Sequence, residues 1–282
     1  MTRRRDIEKQ RRSLDEIRDI MNSMKNLSFM ETRKISGFLD VQRSVVRHIE
    51  TVATDFLSFY PGTLTESTDT PVDVEVYLLI GAERGFCGDF NHALLRQFES
   101  MPIIHDMEKL QLICVGHKLH TLLENDERAI LFIDGASVVE EVDNVLNQIV
   151  NHLAAIQESY GALNLYVLYH DSEHRIINQQ LLPPFQNLLN HQPAEPHAPE
   201  LNLEPEKFLL ELSYHYLFLV LYEILYSSLM AESRQRVAHL EGAVQHMDEQ
   251  SEELHRQGNV LRQEEIIEEI EVILLSDVSL DE

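Results

Sequence analysis

Residues 1–60 read MTRRRDIEKQRRSLDEIRDIMNSMKNLSFMETRKISGFLDVQRSVVRHIETVATDFLSFY. They contain no proline, which would remove a helical donor and clash with the preceding turn, and one glycine, Gly37. Stepping by seven from Ile7 gives Leu14, Met21, Ser28, Ile35, Gln42, Ile49 and Phe56. A companion row three residues later gives Gln10, Ile17, Met24, Glu31, Phe38, Val45, Val52 and Phe59. Twelve of these 16 positions are apolar, so the stretch reads as a heptad seam on one long helix. A sustained seven-residue repeat predicts a left-handed supercoil. As helix, Thr2 to Phe59 spans roughly 85 Å at 1.5 Å per residue.

The other end of the chain matches it. All 9 prolines fall between Pro61 and Pro205, so residues 206–282 carry none. A second seam runs through Val237, Leu240, Val244, Met247, Leu254 and Leu261, with Ser251 and Gly258 as gaps. Upstream, SYHYLFLVLYEILYSSLM (213–230) is apolar on nearly every side and should be buried against something larger than one helix. Residues 1–60 hold 12 basic and 9 acidic residues, net +3; residues 206–282 hold 5 and 17, net −12. Opposite signs suit a pair of helices, although exposed ion pairs contribute little. The paired seams carry the argument.

Between the ends, the pattern changes to short apolar runs and helical stretches. Strands are expected at Val74–Ile80, Leu110–Val115, Ala129–Ile133 and Leu163–Tyr169, with a fifth at Arg175–Leu181. Helices are expected over His92–Phe98, from Lys118, and over Ser137–Tyr160. Strands separated by helices imply a mostly parallel α/β sheet. The stretch HQPAEPHAPELNLEP (191–205) reads as an extended linker. The domain reading is a helix over 1–60, an α/β domain with its linker over 61–205, and a helix over 206–282.

Composition narrows the function. With 44% hydrophobic and 25% charged residues, the 282-residue chain can build a core. Its net charge of −25 argues against nucleic acid held by phosphate contacts and against docking on anionic lipid. Two cysteines, Cys87 and Cys114, make no disulfide framework and favour a reducing compartment. No apolar run is read as reaching the ~18–20 residues of a bilayer span. The start reads as neither a signal nor a transit peptide.

The chemical candidate is GAERGFCGDFN (81–91), between a strand and a helix where phosphate loops occur. Gly81, Gly85 and Gly88 miss the G-x-G-x-x-G spacing, and no Lys-Ser/Thr follows. A tight structural turn is the stronger reading. Cys87 at a helix start could be nucleophilic, but a small buried thiol fits better. His170 and His174 are too isolated for a metal site. Glu83, Asp171 and Glu173 lie near strand ends, where α/β enzymes place catalytic groups, but lack a visible second half-site.

Three segments, in order, resemble one family, the γ subunit of F-type ATP synthases. SLDEIRDIMNSMKNL (13–27) is similar to the family's approach to an Ala-Met-Lys-Met segment: Met24 and Lys25 match, while Ser23 and Asn26 depart. VYLLIGAERGFCGDFN (76–91) resembles a strand followed by Thr-Ser-Asp-Arg-Gly-Leu-Cys-Gly-Gly-Phe-Asn. There Arg84, Gly85, Cys87, Gly88, Phe90 and Asn91 match; Gly81, Ala82, Glu83, Phe86 and Asp89 do not. MAESRQRVAHL (230–240) and NVLRQEEIIEEI (259–270) resemble Ser-Glu-x-x-x-Arg-Met and Asn-x-x-Arg-Gln-x-x-Ile-Thr-x-Glu. Glu232, Arg236, Asn259, Arg262, Gln263, Ile266 and Glu269 fall on matching positions. The acidic second helix and the missing Ala-rich run suggest a divergent branch, such as a sodium-linked synthase.

The resemblance implies an antiparallel coiled coil of terminal helices with a Rossmann-like α/β foot. It implies a non-catalytic rotor shaft with no cofactor or metal. The implied partners are the α and β subunits, the ε subunit and the membrane c-ring, with no nucleic acid and no direct membrane insertion. The implied location is peripheral, on the cytoplasmic face of the bacterial inner membrane. Met24, Lys25, Glu232, Arg236, Asn259, Arg262, Gln263 and Glu269 would be rotor–stator contacts; Arg84, Gly85, Cys87, Gly88 and Asn91 would form the structural turn. Two other readings stand beside it: a nucleotide-binding α/β enzyme with coiled-coil arms, and a coiled-coil adaptor unrelated to rotation.

Overall fold

The computed structural model describes residues 2–63, 74–101, 110–188 and 197–278. The elements are α1 (Thr2–Phe59), β1 (Val74–Ile80), α2 (Phe90–Glu99), β2 (Leu110–Val115), α3 (His117–Leu123), β3 (Ala129–Ile133), α4 (Val142–Tyr160), β4 (Leu163–His170), β5 (Ile176–Leu182) and α5 (Pro205–Val278). α5 opens on Pro205, whose fixed φ and missing N–H suit a first helical position. Positions 191–196 of the expected linker lie outside the described residues. Two compact units result, one of Met1–Ser28 with Val237–Glu282, the other Phe29–Arg236.

The larger unit holds a five-stranded sheet in the order β3-β2-β1-β4-β5. β1 to β4 are parallel, and β5 runs antiparallel to β4. Alternate residues of the inner strands face opposite sides, so each side has its own core. Val76, Leu78, Ile113, Val115, Leu165 and Val167 pack with α4 and with the parts of α1 and α5 in this unit. Tyr77, Leu79, Leu112, Cys114 and Leu168 pack on the other side with Leu94 and Phe98 of α2 and Leu119 and Leu123 of α3. Burial on both faces is why β1 and β2 are apolar almost throughout.

The run 213–230 sits in α5 within this unit. By length and composition alone α5 holds a stretch apolar enough to cross a membrane, which the sequence reading had excluded. In the structure Val220, Leu221, Ile224, Leu225, Leu229 and Met230 are buried in the sheet domain's core. Here α5 runs antiparallel to α1: Phe208 packs on Phe56, Tyr216 bonds Glu50, Arg43 pairs with Glu223, and Phe38 stacks on Tyr226.

In the smaller unit the two helices also run antiparallel. Arg4 pairs with Glu265, Arg11 bonds His255, Arg18 pairs with Asp248 and Lys25 with Glu241, so α5 numbers fall as α1 numbers rise. Every expected seam position of α5 from Val237 to Leu261, the two gaps included, is buried or half-buried. On α1 the row from Ile7 to Phe56 turns inward, but only part of its expected companion does: Met24, Glu31 and Phe59 are half-buried, whereas Ile17, Phe38, Val45 and Val52 are 36–48% exposed. The inward companion lies one residue further on. It is Arg11, Arg18 and Lys25 in the smaller unit, and Leu39, Val46 and Ala53 in the larger. Basic stems cover the seam in the first set while their charged ends reach across to α5.

Candidate functional site: the turn after β1 and the paired helix ends

The turn leaves β1 at the point where strand order reverses, between β1 and β4, the usual ligand crevice of an open α/β sheet. Its geometry is set by close packing. A Cβ on Gly81 would lie 2.6 Å from Leu119 Cβ and 2.7 Å from Asn91 Oδ1. The Asn91 side chain accepts the Ala82 N–H at 2.8 Å, tying the turn to the first residues of α2. Phe86 and Gly88 take positive φ values of 64° and 57°. Gly85 has neither a positive φ nor a close neighbour, since only Lys118 Cε approaches its would-be Cβ, at 3.8 Å.

The crevice is filled by the chain itself. Glu232 of α5, 3% exposed, accepts the Glu83 N–H on Oε2 and the Arg84 N–H on Oε1, each at 3.1 Å. Arg236, one helical turn on and 4% exposed, pairs with the same carboxylate and donates through Nε to the Gly85 carbonyl at 3.1 Å. Burial pushes the Glu232 pKa up, while the Arg236 charge and the two N–H donors pull against it. Cys87 is buried beside them, and desolvation pushes its thiol to about 12. Arg84, Gly85 and Cys87 are therefore tied to α5, Asn91 at the start of α2 holds the turn through Ala82, and Gly88 supplies one of its positive φ values.

This arrangement separates Glu232 and Arg236 from the other residues grouped as shaft contacts. In the chain by itself, each is buried and paired with the other. Sequence spacing did show them four apart on a helix, but such a pair ordinarily lies in solvent, and nothing local signals that the β1 turn covers it. Of the rest, Met24 and Lys25 are half-buried, and Asn259, Arg262, Gln263 and Glu269 are exposed, all in the smaller unit. Lys25 reaches Glu241 at 3.9 Å. Arg4, Arg11, Arg12, His255, Asn259 and Arg262 line a hollow of about 300 Å³ beside Ile7 and Gly258.

The acidic residues at the strand ends are structural ties. Glu83 Oε2 accepts the His117 N–H at 2.8 Å and the Gly135 N–H at 2.7 Å, joining the C-terminal ends of β1, β2 and β3. Asp171 accepts the Glu173 and Arg175 N–H groups at 2.8 and 2.9 Å and pairs with the Arg175 side chain, closing the β4–β5 turn. Glu173 is exposed and also pairs with Arg175. His170 bonds the Phe90 carbonyl through Nε2 at 2.9 Å and stacks on its ring; burial lowers its pKa. Among the described residues, no three His, Cys, Asp or Glu side chains are placed to hold a metal ion.

The family model described as ATP synthase matches residues 3–276. The chain is 25% identical to the ATP synthase gamma chain of Caldanaerobacter subterraneus subsp. tengcongensis, over 95% of this chain and 96% of that one. It is 26% identical to the ATP synthase gamma chain of Clostridium novyi over 73% of each. Its fold is similar to a chain in the rotor of the Euglena gracilis mitochondrial ATP synthase, with a TM-score of 0.66, 14% identity, and coverage of 94% and 99%. A chain in the OSCP/F1/c-ring assembly of the same organism gives a TM-score of 0.70 at 14% identity, covering 99% and 95%. With that model spanning nearly its whole length and a gamma chain aligning over 95% of it, the chain belongs to the ATP synthase gamma-chain family.

Proposed function

We propose that this chain is the central rotor shaft of an F-type ATP synthase. It is a non-catalytic subunit: ion flow turns the membrane c-ring, the c-ring turns this chain, and the asymmetric shaft drives the three catalytic sites of the surrounding α and β subunits through different conformations. The observation that carries the reading is the ordered pairing of the helix ends, from Arg4–Glu265 to Lys25–Glu241, over two buried or half-buried seams. A torque-bearing element needs long proline-free helices whose paired faces resist slipping.

In this reading helices 1–60 and 206–282 serve as shaft and residues 61–205 as foot, with the ε subunit and c-ring as partners of the foot. The complex stands peripherally on the cytoplasmic face of a bacterial inner membrane. Met24, Lys25, Asn259, Arg262, Gln263 and Glu269 meet the α and β subunits, and the exposed polar ends of Arg262 and Gln263 act as catches. Glu232 and Arg236 act through the turn after β1. The test is the purified complex carrying Arg262→Ala and Gln263→Ala together. Ion-driven ATP synthesis should fall several-fold with subunit composition unchanged. Full synthesis in a complex lacking this chain would end the reading.

A further inference from the structure

We propose that the turn after β1 is an oxyanion cradle whose resident anion is the chain's own Glu232 carboxylate, and that a small oxyanion binds there when that side chain is shortened. The ligand class is formate, acetate or inorganic phosphate. The proposal concerns the isolated chain, so it stands or falls apart from the rotary reading.

The donors come first. Two successive backbone N–H groups, of Glu83 and Arg84, each meet a different oxygen of one carboxylate at 3.1 Å. Successive N–H groups converging on one point make an anion-binding concavity. Arg236 adds a guanidinium, oriented by its bond to the Gly85 carbonyl and touching Cys87 Sγ at 3.6 Å. Backbone amides are how α/β folds hold phosphate at this crevice, and a guanidinium beside them adds charge-assisted donors for an oxyanion.

The surroundings leave these donors no alternative. Ala82, Cys87, Phe90 and Ala231 form a small apolar cluster around the turn, each 6% exposed or less. Water is excluded, so an emptied cradle holds a buried cation and two orphaned donors. The atoms deleted by Glu232→Ala amount to a carboxymethyl group, close to acetate in size and charge. The crevice thus keeps its affinity for anions, and a side chain from α5 occupies it. That explains why the turn can lack the glycine spacing and the lysine of a nucleotide loop: its anion is covalently supplied.

The experiment uses the full chain as wild type, Glu232→Ala, Glu232→Gln, and the double variant Glu232→Ala with Arg236→Ala. Two readouts are followed at constant ionic strength, thermal unfolding and alkylation of Cys87. In chloride, Glu232→Ala should lower the midpoint by about 10 °C, as expected for one partner removed from a buried ion pair, and Cys87 should label faster. Formate or acetate at about 100 mM should recover more than half of that loss and slow the labelling, by preferential binding to the folded state. Wild type and the double variant should show no anion preference over chloride, and Glu232→Gln, which keeps the space filled, should recover little. Recovery by phosphate as well would extend the class to tetrahedral anions. If Glu232→Ala does not fold in chloride, its refolding yield must rise in the same anions. Recovery no larger than in wild type, or equal recovery in the double variant, overturns the proposal.

Discussion

The Tyr216 hydroxyl on α5 donates to Glu50 Oε1 on α1 across 3.4 Å, placing a half-buried carboxylate between the two helices of the larger unit. Glu223, also on α5, lies near enough for the Glu50 charge to act on it, and Arg43 pairs with it at 3.5 Å. Burial raises the pKa of both carboxyls above their usual 4.5. Folding therefore favours their protonated forms. The stability they contribute is fully present below the ordinary carboxylate range and is lost as pH rises through the raised values. Glu50→Gln with Glu223→Gln should raise the unfolding midpoint at pH 8 relative to wild type and flatten its change between pH 8 and 5. Midpoints measured at a series of pH values check this; a double variant that is less stable than wild type at pH 8 contradicts it.

The two thiols should be inert in the folded chain. Desolvation pushes both Cys87 and Cys114 to about 12. At pH 8 that leaves a thiolate fraction on the order of 10⁻⁴. Mass spectrometry after iodoacetamide treatment should find both unmodified until denaturant is added. Rapid labelling of Cys87 in the folded chain would refute its burial against Arg236.

The glycines in and against the turn should differ in their tolerance. Gly81→Ala drives a methyl into Leu119 and Asn91, and should cost about 1–3 kcal/mol by overpacking. Gly116→Ala meets backbone oxygens of Gly81 and Ala82 at 2.8 and 2.9 Å with φ at +109°, and should cost at least as much. Gly85→Ala meets nothing closer than 3.8 Å and should stay within about 0.5 kcal/mol of wild type. Chemical denaturation of the three variants separates these values. A large loss for Gly85→Ala would show that this turn is built around its middle glycine.

Burial should divide the apolar residues of α5 in the same way. Leu221 is fully buried against the sheet, and Leu221→Ala should cost about 2–5 kcal/mol. Ile266 and Ile270 are 45% and 50% exposed in the smaller unit, and alanine at either should change stability by about 0.5 kcal/mol or less. Losses of several kcal/mol at Ile270 would mean that it packs against the chain's own surface.

The long helices were legible because the inward row of α1 from Ile7 to Phe56 is interrupted only at Ser28 and Gln42, and the strands because burial on two faces leaves runs such as VEVYLLI. Much of the companion row on α1 lies one residue further on than its apolar pattern indicates, for a physical reason. Ile17, Phe38, Val45 and Val52 are apolar and look like seam, yet they are exposed, while Arg11, Arg18 and Lys25 turn inward along their stems. A binary pattern scores those cations as surface. The fifth strand was found, but its antiparallel direction depends on the tight Asp171–Arg175 turn that returns the chain beside β4. Glu232 and Arg236 were noticed only through resemblance, because their burial depends on a turn about 150 residues earlier in the chain.

Ser251 looked like a defect in the apolar stripe of α5, but its hydroxyl donates to Asp15 Oδ1 at 3.0 Å. The basic residues Arg11, Arg18 and Lys25 recur every seven positions, but a displacement by a whole heptad would set Arg11 against Arg262 in one direction or Lys25 against Arg234 in the other, so charge already disfavours it. Such a displacement would set Asp15 against Val244 or Gly258 and strand its carboxylate in the half-buried groove. Added to the charge pairs, this polar couple is an index mark that tells two sliding rods where to stop.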